Sequence, residues 1–180
     1  LELSMDAGEL TAALVDIESV SGDEGVLADA VEQSLRAYPS LHVERDGNVV
    51  LARTATGKAQ RVVLAGHLDT VPIAGNVPSR RDGDTLYGCG TSDMKSGLAV
   101  MLRVAHLVGT GEVRPGVEVS WICYDCEEVE AARNGLGRLA RERPDVLAGD
   151  IAVLLEPTGG LVEGGCQGTL RALVRTRGVR

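Results

Sequence analysis

The segment RVVLAGHLDT, residues 61–70, contains the pattern that decides the fold. It begins with a short apolar run, stops at Gly66 and continues with His67 and Asp69. A short apolar run that ends at glycine is typical of a β-strand. Polar residues directly after such a strand are typical of an open α/β sheet, in which ligands bind outside the carboxyl ends of the strands.

Helical and extended patterns alternate along the rest of the chain. Ser21 and Glu24 predict a capping box at the start of the second helix. The run 151–155 is apolar throughout, as in a strand that is covered on both faces. The alternation predicts an α/β fold with a mixed, partly parallel sheet and helices on both faces. The predicted helices are 7–18, the segment after the capping box, 98–108 (a buried helix) and 131–142; the predicted strands are 41–45, 48–53, 61–65, 117–124 and 151–155.

The composition restricts the class of protein. Of the 180 residues, 44% are hydrophobic and only 2% are aromatic, which predicts a core of aliphatic side chains. A formal net charge of −8 argues against a nucleic acid or a membrane as the partner, because both partners require a basic surface. The sequence has no apolar run long enough to cross a membrane, and we do not expect its acidic N-terminal segment to act as a signal peptide. We expect a cytoplasmic enzyme that acts on a small-molecule substrate.

Four cysteines are too few for a disulfide framework in a chain of this length. They are Cys89, Cys123, Cys126 and Cys166. The spacing of Cys123 and Cys126 also occurs in zinc and redox sites. A structural zinc site needs a second pair of ligands, and a redox site needs its first cysteine at a helix N-terminus. Because neither condition is met, we predict free thiols.

Acidic residues and one histidine recur in four short segments, at 66–69, 91–95, 125–128 and 155–158. Three of the segments follow predicted strands, and the segment 91–95 precedes the predicted helix 98–108. All four segments can therefore meet at one edge of the sheet. Together they supply four carboxylates and one imidazole: His67, Asp93, Glu127, Glu128 and Glu156.

Such a group repels itself without a cation, because like charges in one site do not all ionise at low cost. A divalent metal ion removes the repulsion. Carboxylate and imidazole ligands suit zinc, with manganese or cobalt as alternatives. Asp69 lies two residues after His67, so in an extended segment it can bond the second ring nitrogen of His67 and fix its tautomer.

Four stretches taken together resemble the two-zinc metallopeptidase family of the aminoacylases and carboxypeptidase G2-like enzymes. They stand in the family's order and spacing, and the resemblance covers essentially all 180 residues, including EGGCQGTLRA at 163–172. The stretches are GHLDTVP at 66–72, GCGTSDMKSG at 88–97, DCEEVEAARNGLG at 125–137 and LEPTGG at 155–160. The resemblance implies a zinc-dependent amide hydrolase whose substrate is N-succinyl-LL-2,6-diaminopimelate. Acetylornithine or a dipeptide is the alternative substrate within the family, and a non-catalytic metal-binding α/β module is the alternative outside it.

The resemblance also implies a role for each candidate residue. His67 and Glu156 would bind one zinc ion, and Asp93 would bridge two. Glu128 would bind the second ion, while Glu127 would be the general base. The implied catalytic residues are Asp69, which orients the histidine, and Glu127; the implied metal ligands are His67, Asp93, Glu128 and Glu156. The family further implies a cis peptide bond between Asp93 and Met94.

The sequence departs from the family pattern in two respects. The second zinc of the family takes a further histidine from near the C-terminus of the full-length enzyme, and neither His42 nor His106 stands at that position. We predict that His42 is a surface residue and that His106 is a packing or helix-end residue. The family's lid domain, through which it forms homodimers, would begin near Gly178. We expect residues 1–177 to form an incomplete catalytic domain and 178–180 to begin a connection to an absent lid. This fragment is expected to be inactive by itself.

Overall fold

A computed structural model describes residues 1–165 and 172–178 of the chain. Cys166 and residues 179–180 therefore lie outside the described residues. The helices are α1 (Ala7–Val15), α2 (Gly25–Arg36), α3 (Ser96–Gly109), α4 (Gly135–Glu142) and α5 (Pro144–Leu147). The strands are β1 (His42–Asp46), β2 (Val49–Arg53), β3 (Arg61–His67), β4 (Arg80–Asp82), β5 (Thr85–Tyr87), β6 (Glu118–Tyr124) and β7 (Ile151–Leu154).

Five of the strands form one mixed sheet, in the order β1-β2-β6-β3-β7. The hairpin β1–β2 is antiparallel, and β2 pairs antiparallel with β6. Strand β3 pairs in parallel with both β6 and β7. The carboxyl ends of β3, β6 and β7 therefore lie at the same edge of the sheet. Strands β4 and β5 form a separate antiparallel ribbon.

Helices cover both faces of the sheet, and the predicted α/β class is confirmed. Along β6, Trp121 and Cys123 belong to the core beneath α1, α2 and α3. Ile122 and Tyr124 belong to a second core with Leu139 of α4. Successive side chains of a strand point to opposite faces, so this strand buries every residue from Glu118 to Tyr124. None of the helices within the described residues has the length and hydropathy needed to span a bilayer.

Two predictions about helix starts are wrong. The predicted capping box is wrong: α2 begins at Gly25 and has no side-chain cap bond, because Ser21 and Glu24 bond to residues far along the chain. The helix predicted at residue 131 begins at Gly135 instead. Asn134 accepts a hydrogen bond from the Gly137 N–H at 3.1 Å and caps this helix.

The predicted burial is too high in two elements. Helix α3 is buried along one side only, with Val100 47% exposed. The prediction that β7 is covered on both faces is wrong, since Ile151 is 59% exposed and Val153 is 44% exposed. Strand β7 is the edge strand next to β3, and within residues 1–165 and 172–178 no strand pairs with its other side.

Glu118 anchors the loop between β2 and β3 and provides a test of the fold by pH. Its carboxylate accepts hydrogen bonds from the backbone N–H groups of Thr56 and Lys58 and from the hydroxyls of Thr54 and Thr56. Burial would raise the pKa of Glu118, but these hydrogen bonds lower it to about 2. The stabilisation is therefore complete above the ordinary glutamate pKa and is lost as the pH falls towards 2.

We expect Glu118→Gln to lower the free energy of unfolding at pH 7 by about 1–3 kcal/mol. The substitution replaces a charged acceptor by a neutral amide, and hydrogen bonds to charged groups are the stronger ones. The difference from the unchanged chain should shrink at pH 3. Urea unfolding at both pH values measures it, with the exposed Glu142→Gln on α4 as the control. An equal difference at both pH values would contradict this account of Glu118.

Candidate metal centre

His67 is the last residue of β3, and its ring is buried at the edge where the three parallel strands end. Its Nδ1 lies 2.9 Å from the backbone carbonyl oxygen of Asp69 and 3.4 Å from Asp69 Oδ1. Because a carbonyl oxygen only accepts, Nδ1 carries the proton. Nε2, which lies 3.0 Å from Asp93 Oδ1, is the nitrogen that is left for a metal ion.

The charges around His67 change its pKa strongly. Burial would lower the pKa, but the hydrogen bond and charge of Asp69, the hydrogen bond of Asp93 and the charge of Glu156 outweigh burial and raise it to about 9. The imidazole ring also makes an edge contact with the Tyr124 ring, with the ring centroids 6.0 Å apart. His67 thus lies in a pocket of negative charge that favours a cation.

Asp93 reaches the site from an irregular turn, Thr91–Lys95, in front of α3. The peptide bond between Asp93 and Met94 is cis, as the family resemblance implies. Two neighbours fix this turn. The buried Met94 sulfur accepts the His67 N–H at 3.2 Å. The buried ammonium group of Lys95 donates to the carbonyl oxygens of Leu14 and Ile17, at the end of α1.

Glu156 completes a group of three possible metal ligands. It follows β7 closely and is partly buried. His67, Asp93 and Glu156 each offer one ligand atom, and the three atoms lie within 4.8 Å of one another. The structure therefore brings together a histidine and two carboxylates from three separate segments of the sequence, at one edge of the sheet.

Asp69 is fully buried and holds a loop as well as the histidine. Its Oδ1 accepts the backbone N–H of Glu127 at 2.9 Å, and its Oδ2 accepts the backbone N–H of Glu128 at 3.0 Å. The Ser21 hydroxyl donates to Oδ2 at 2.7 Å. Burial would raise the pKa of Asp69, but these hydrogen bonds and that of His67 lower it to about 2. Asp69 is thus an anion that links the ends of β3 and β6.

Glu127 and Glu128 lie beside the three-residue group but outside it. The side chain of Glu127 is exposed, and that of Glu128 is partly buried. Burial and then the charge of Asp93 raise the pKa of Glu128. Burial raises the pKa of Glu156, and the charges of Asp93 and Glu127 raise it further. A bound cation would remove this mutual repulsion, so the donor set fits a divalent metal ion.

Several residues that support the site could not be recognised from the sequence alone. Ser21, Glu24, Tyr124 and Lys95 are the clearest cases. The first two were predicted to cap a helix, and nothing local distinguishes a cap from a bond to a distant segment.

The predictions for the other histidines are confirmed: His42 is exposed on β1, and His106 Nδ1 lies 2.8 Å from the Tyr38 hydroxyl. Among the described cysteines, Cys89, Cys123 and Cys126 are buried free thiols, as predicted.

Comparison with known proteins gives a family and a set of close relatives. The sequence model of Peptidase family M20/M25/M40 matches residues 63–167. The chain is 53% identical over 181 residues to the putative succinyl-diaminopimelate desuccinylase DapE of Mycobacterium tuberculosis, covering 100% of the chain and 50% of that protein. It is 52% identical over 183 residues to the succinyl-diaminopimelate desuccinylase of Corynebacterium glutamicum, covering 100% of the chain and 49% of that protein. The chain spans about half the length of these relatives.

Solved structures share the fold at low sequence identity. A tripeptidase from Staphylococcus aureus has a TM-score of 0.66 and 22% identity, covering 83% of this chain and 42% of that one. An M20 family metallo-carboxypeptidase from Sulfolobus solfataricus has a TM-score of 0.64 and 19% identity, covering 83% and 37%. The YXEP protein of Bacillus subtilis, described as a dinuclear metal binding peptidase, has a TM-score of 0.56 and 17% identity, covering 82% and 41%.

Proposed function

Because the chain belongs to Peptidase family M20/M25/M40, we propose that it is the metal-binding catalytic part of a succinyl-diaminopimelate desuccinylase. The reaction is the hydrolysis of N-succinyl-LL-2,6-diaminopimelate to succinate and LL-2,6-diaminopimelate, a step of lysine and diaminopimelate biosynthesis. The observation that carries the proposal is the identity of 53% and 52%, over the whole chain, to two proteins with that name.

We assign zinc to the site, with cobalt or manganese as substitutes. His67, Asp93 and Glu156 would hold one ion, and their closeness supports this. Asp93 and Glu128 would hold a second ion together with a ligand from elsewhere, since His42 and His106 lie away from the site. A donor set of imidazole and carboxylates suits zinc, and the fold relative from Bacillus subtilis is described as dinuclear.

The chain's own residues divide the chemistry between them. When bound, the metal would acidify a water molecule and polarise the substrate amide. Glu127 takes the proton of the attacking water and passes it to the leaving amine, as a general base and then a general acid. Its backbone N–H is fixed on Asp69 at 2.9 Å, which sets the point from which its carboxylate leaves the loop. Asp69 also orients His67.

The wider organisation of the enzyme is part of the proposal. We place the metal-binding domain at residues 1–177 and a connection to a lid domain at 178–180. The relatives are about twice as long as this chain. We assign the remaining histidine ligand, the lid and the homodimer contact to the half of such an enzyme that this chain does not cover. The location proposed is the cytoplasm.

The function is tested with a chimeric desuccinylase, in which this chain replaces the matching segment of the Corynebacterium glutamicum enzyme. We expect it to hydrolyse N-succinyl-LL-2,6-diaminopimelate with a kcat/KM within about tenfold of the parent, because the chain would supply the groups that we assign to catalysis and is 52% identical to that enzyme over the matched length. The chain alone, with excess zinc, should be far less active. A chimera that prefers acetylornithine or a dipeptide would contradict the assigned substrate. A chimera that binds zinc but hydrolyses none of the three would favour a non-catalytic metal-binding module.

A further inference from the structure

Glu24, the residue in front of α2, is a fully buried carboxylate outside the metal centre. Its Oε1 accepts the Gly22 N–H at 2.7 Å and the Cys126 N–H at 3.3 Å. Its Oε2 accepts the side-chain amide of Asn48 at 2.9 Å, and the Cys126 thiol lies 3.5 Å from Oε1. A buried charge persists where donors of this kind surround it. These donors come from three separate segments, so Glu24 joins the turn of the β1–β2 hairpin to the loop after β6.

The loop that carries the two adjacent glutamates is held by two buried carboxylates. Three consecutive backbone N–H groups donate to them: that of Cys126 to Glu24, and those of Glu127 and Glu128 to Asp69. Cys126 has a φ of 57°, which a residue with a side chain adopts only where its surroundings impose it. Glu24 therefore holds the loop at the Cys126 turn, and Asp69 holds the two residues that follow this turn.

Glu24 is itself fixed with respect to the end of β3. The Ser19 hydroxyl donates to the Leu68 carbonyl oxygen at 2.7 Å, and the Thr70 N–H donates to the Ser19 carbonyl oxygen at 2.9 Å. The Ser21 hydroxyl donates to Asp69. Residues 19–24 therefore form a brace, which contacts the segment of His67 and Asp69 at one end and the loop of Glu127 and Glu128 at the other.

We propose that Glu24 is a positioning residue, which fixes the direction in which the side chains of Glu127 and Glu128 leave their loop. The inference deepens the proposed function, because it rests on Glu127 as the base and Glu128 as a metal ligand. Without the carboxylate of Glu24, the Cys126 turn relaxes to an ordinary φ. The next two peptide groups then rotate, and their N–H groups leave Asp69. The ligands His67, Asp93 and Glu156 stay in place.

Hydrogen exchange, followed by NMR on the metal-free chain, tests the inference without any need for activity. In Glu24→Ala, we expect the amides of Cys126, Glu127 and Glu128 to exchange at least about tenfold faster, through local opening. Glu24→Gln keeps the shape and one acceptor oxygen, so it should give a smaller change in the same amides. Glu32→Gln, on α2 and paired with Arg36 and Arg45, is the matched control and should leave these amides unchanged.

The decisive amides are those of Glu127 and Glu128, because Asp69 and not Glu24 accepts them. If only the Gly22 and Cys126 amides respond in both variants, Glu24 bonds its neighbours without positioning the loop, and the inference is wrong. If Glu24→Ala unfolds the chain, the comparison rests on Glu24→Gln, and unchanged exchange at 127 and 128 in that variant overturns the inference.

A second experiment separates this inference from the proposed function. In the chimeric desuccinylase, we expect Glu24→Ala to lower kcat by about 100-fold, as misplacement of a catalytic group does, and Glu24→Gln to lower it less. KM should stay within about threefold, and the zinc at His67 should be retained. If the unchanged chimera is inactive, the proposed function fails while the exchange result still stands. If the unchanged chimera is active and Glu24→Ala keeps its kcat, Glu24 has no positioning role and the proposed function stands.

Discussion

Glu127→Ala in the chimeric desuccinylase is expected to lower kcat by about 10²–10⁴-fold, the usual contribution of a general acid–base group. Zinc should remain bound, because Glu127 lies outside the group formed by His67, Asp93 and Glu156. Adjacent residues send their side chains in different directions, so Glu128 can face a metal ion while Glu127 faces the attacking water. Steady-state kinetics and metal analysis of the same preparation measure both quantities.

The matched control for Glu127→Ala is Glu130→Ala, which removes an exposed carboxylate three residues further along the same loop. Its kcat should stay within about threefold of the unchanged chimera. If the Glu127 variant is isolated without zinc, the roles of Glu127 and Glu128 are the reverse of those proposed.

Asp69→Ala is expected to lower the free energy of unfolding of the chain by roughly 3–5 kcal/mol, as the loss of one partner from a buried charged network does. The N–H groups of Glu127 and Glu128 and the Ser21 hydroxyl lose their acceptor. His67 loses the carboxylate beside its Nδ1, so zinc affinity should fall by ~10–100-fold. Urea unfolding and zinc titration measure these two effects.

Two further variants make the Asp69 result specific. Asp69→Asn keeps the shape and one acceptor oxygen, and its effect on stability should be smaller. Asp82→Ala removes an exposed aspartate, 3.5 Å from Arg80, and should change stability by less than about 1 kcal/mol, as exposed ion pairs do. A stability of Asp69→Ala equal to that of Asp82→Ala would show that the loop is held in some other way.

The parts of this structure that follow from short-range patterns could be predicted from the sequence. The apolar runs that end at His67 and Tyr124 are β3 and β6, and their parallel pairing brings the following polar residues together. The burial of the 151–155 run could not be predicted, although its strand structure could. A continuous apolar run indicates a strand, but not whether other parts of a protein cover it, and β7 is exposed here.

The supporting residues of the site depend on contacts between distant parts of the chain. Ser21 bonds Asp69 across 48 positions, and Glu24 bonds Cys126 across 102 positions. The same two residues fit the pattern of a helix cap, and only the tertiary structure decides between the two uses. Asp69 was predicted to orient His67, which its position two residues away suggested. Asp69 also accepts hydrogen bonds from the loop after β6. That contact could not be predicted without knowing that β6 lies beside β3 in the sheet.

Calorimetric titration of the 180-residue chain with Zn²⁺ tests the central claim most directly, with His67→Ala compared against His42→Ala. Both variants remove one histidine, but His67 lies with Asp93 and Glu156 while His42 is exposed on β1. We predict one tight site in the unchanged chain and a much weaker second one. His67→Ala should weaken the tight site by at least about 100-fold, more than the loss of a supporting residue does, and His42→Ala should leave it unchanged. Equal zinc binding by the two variants, or two equally tight sites in the unchanged chain, would contradict the account.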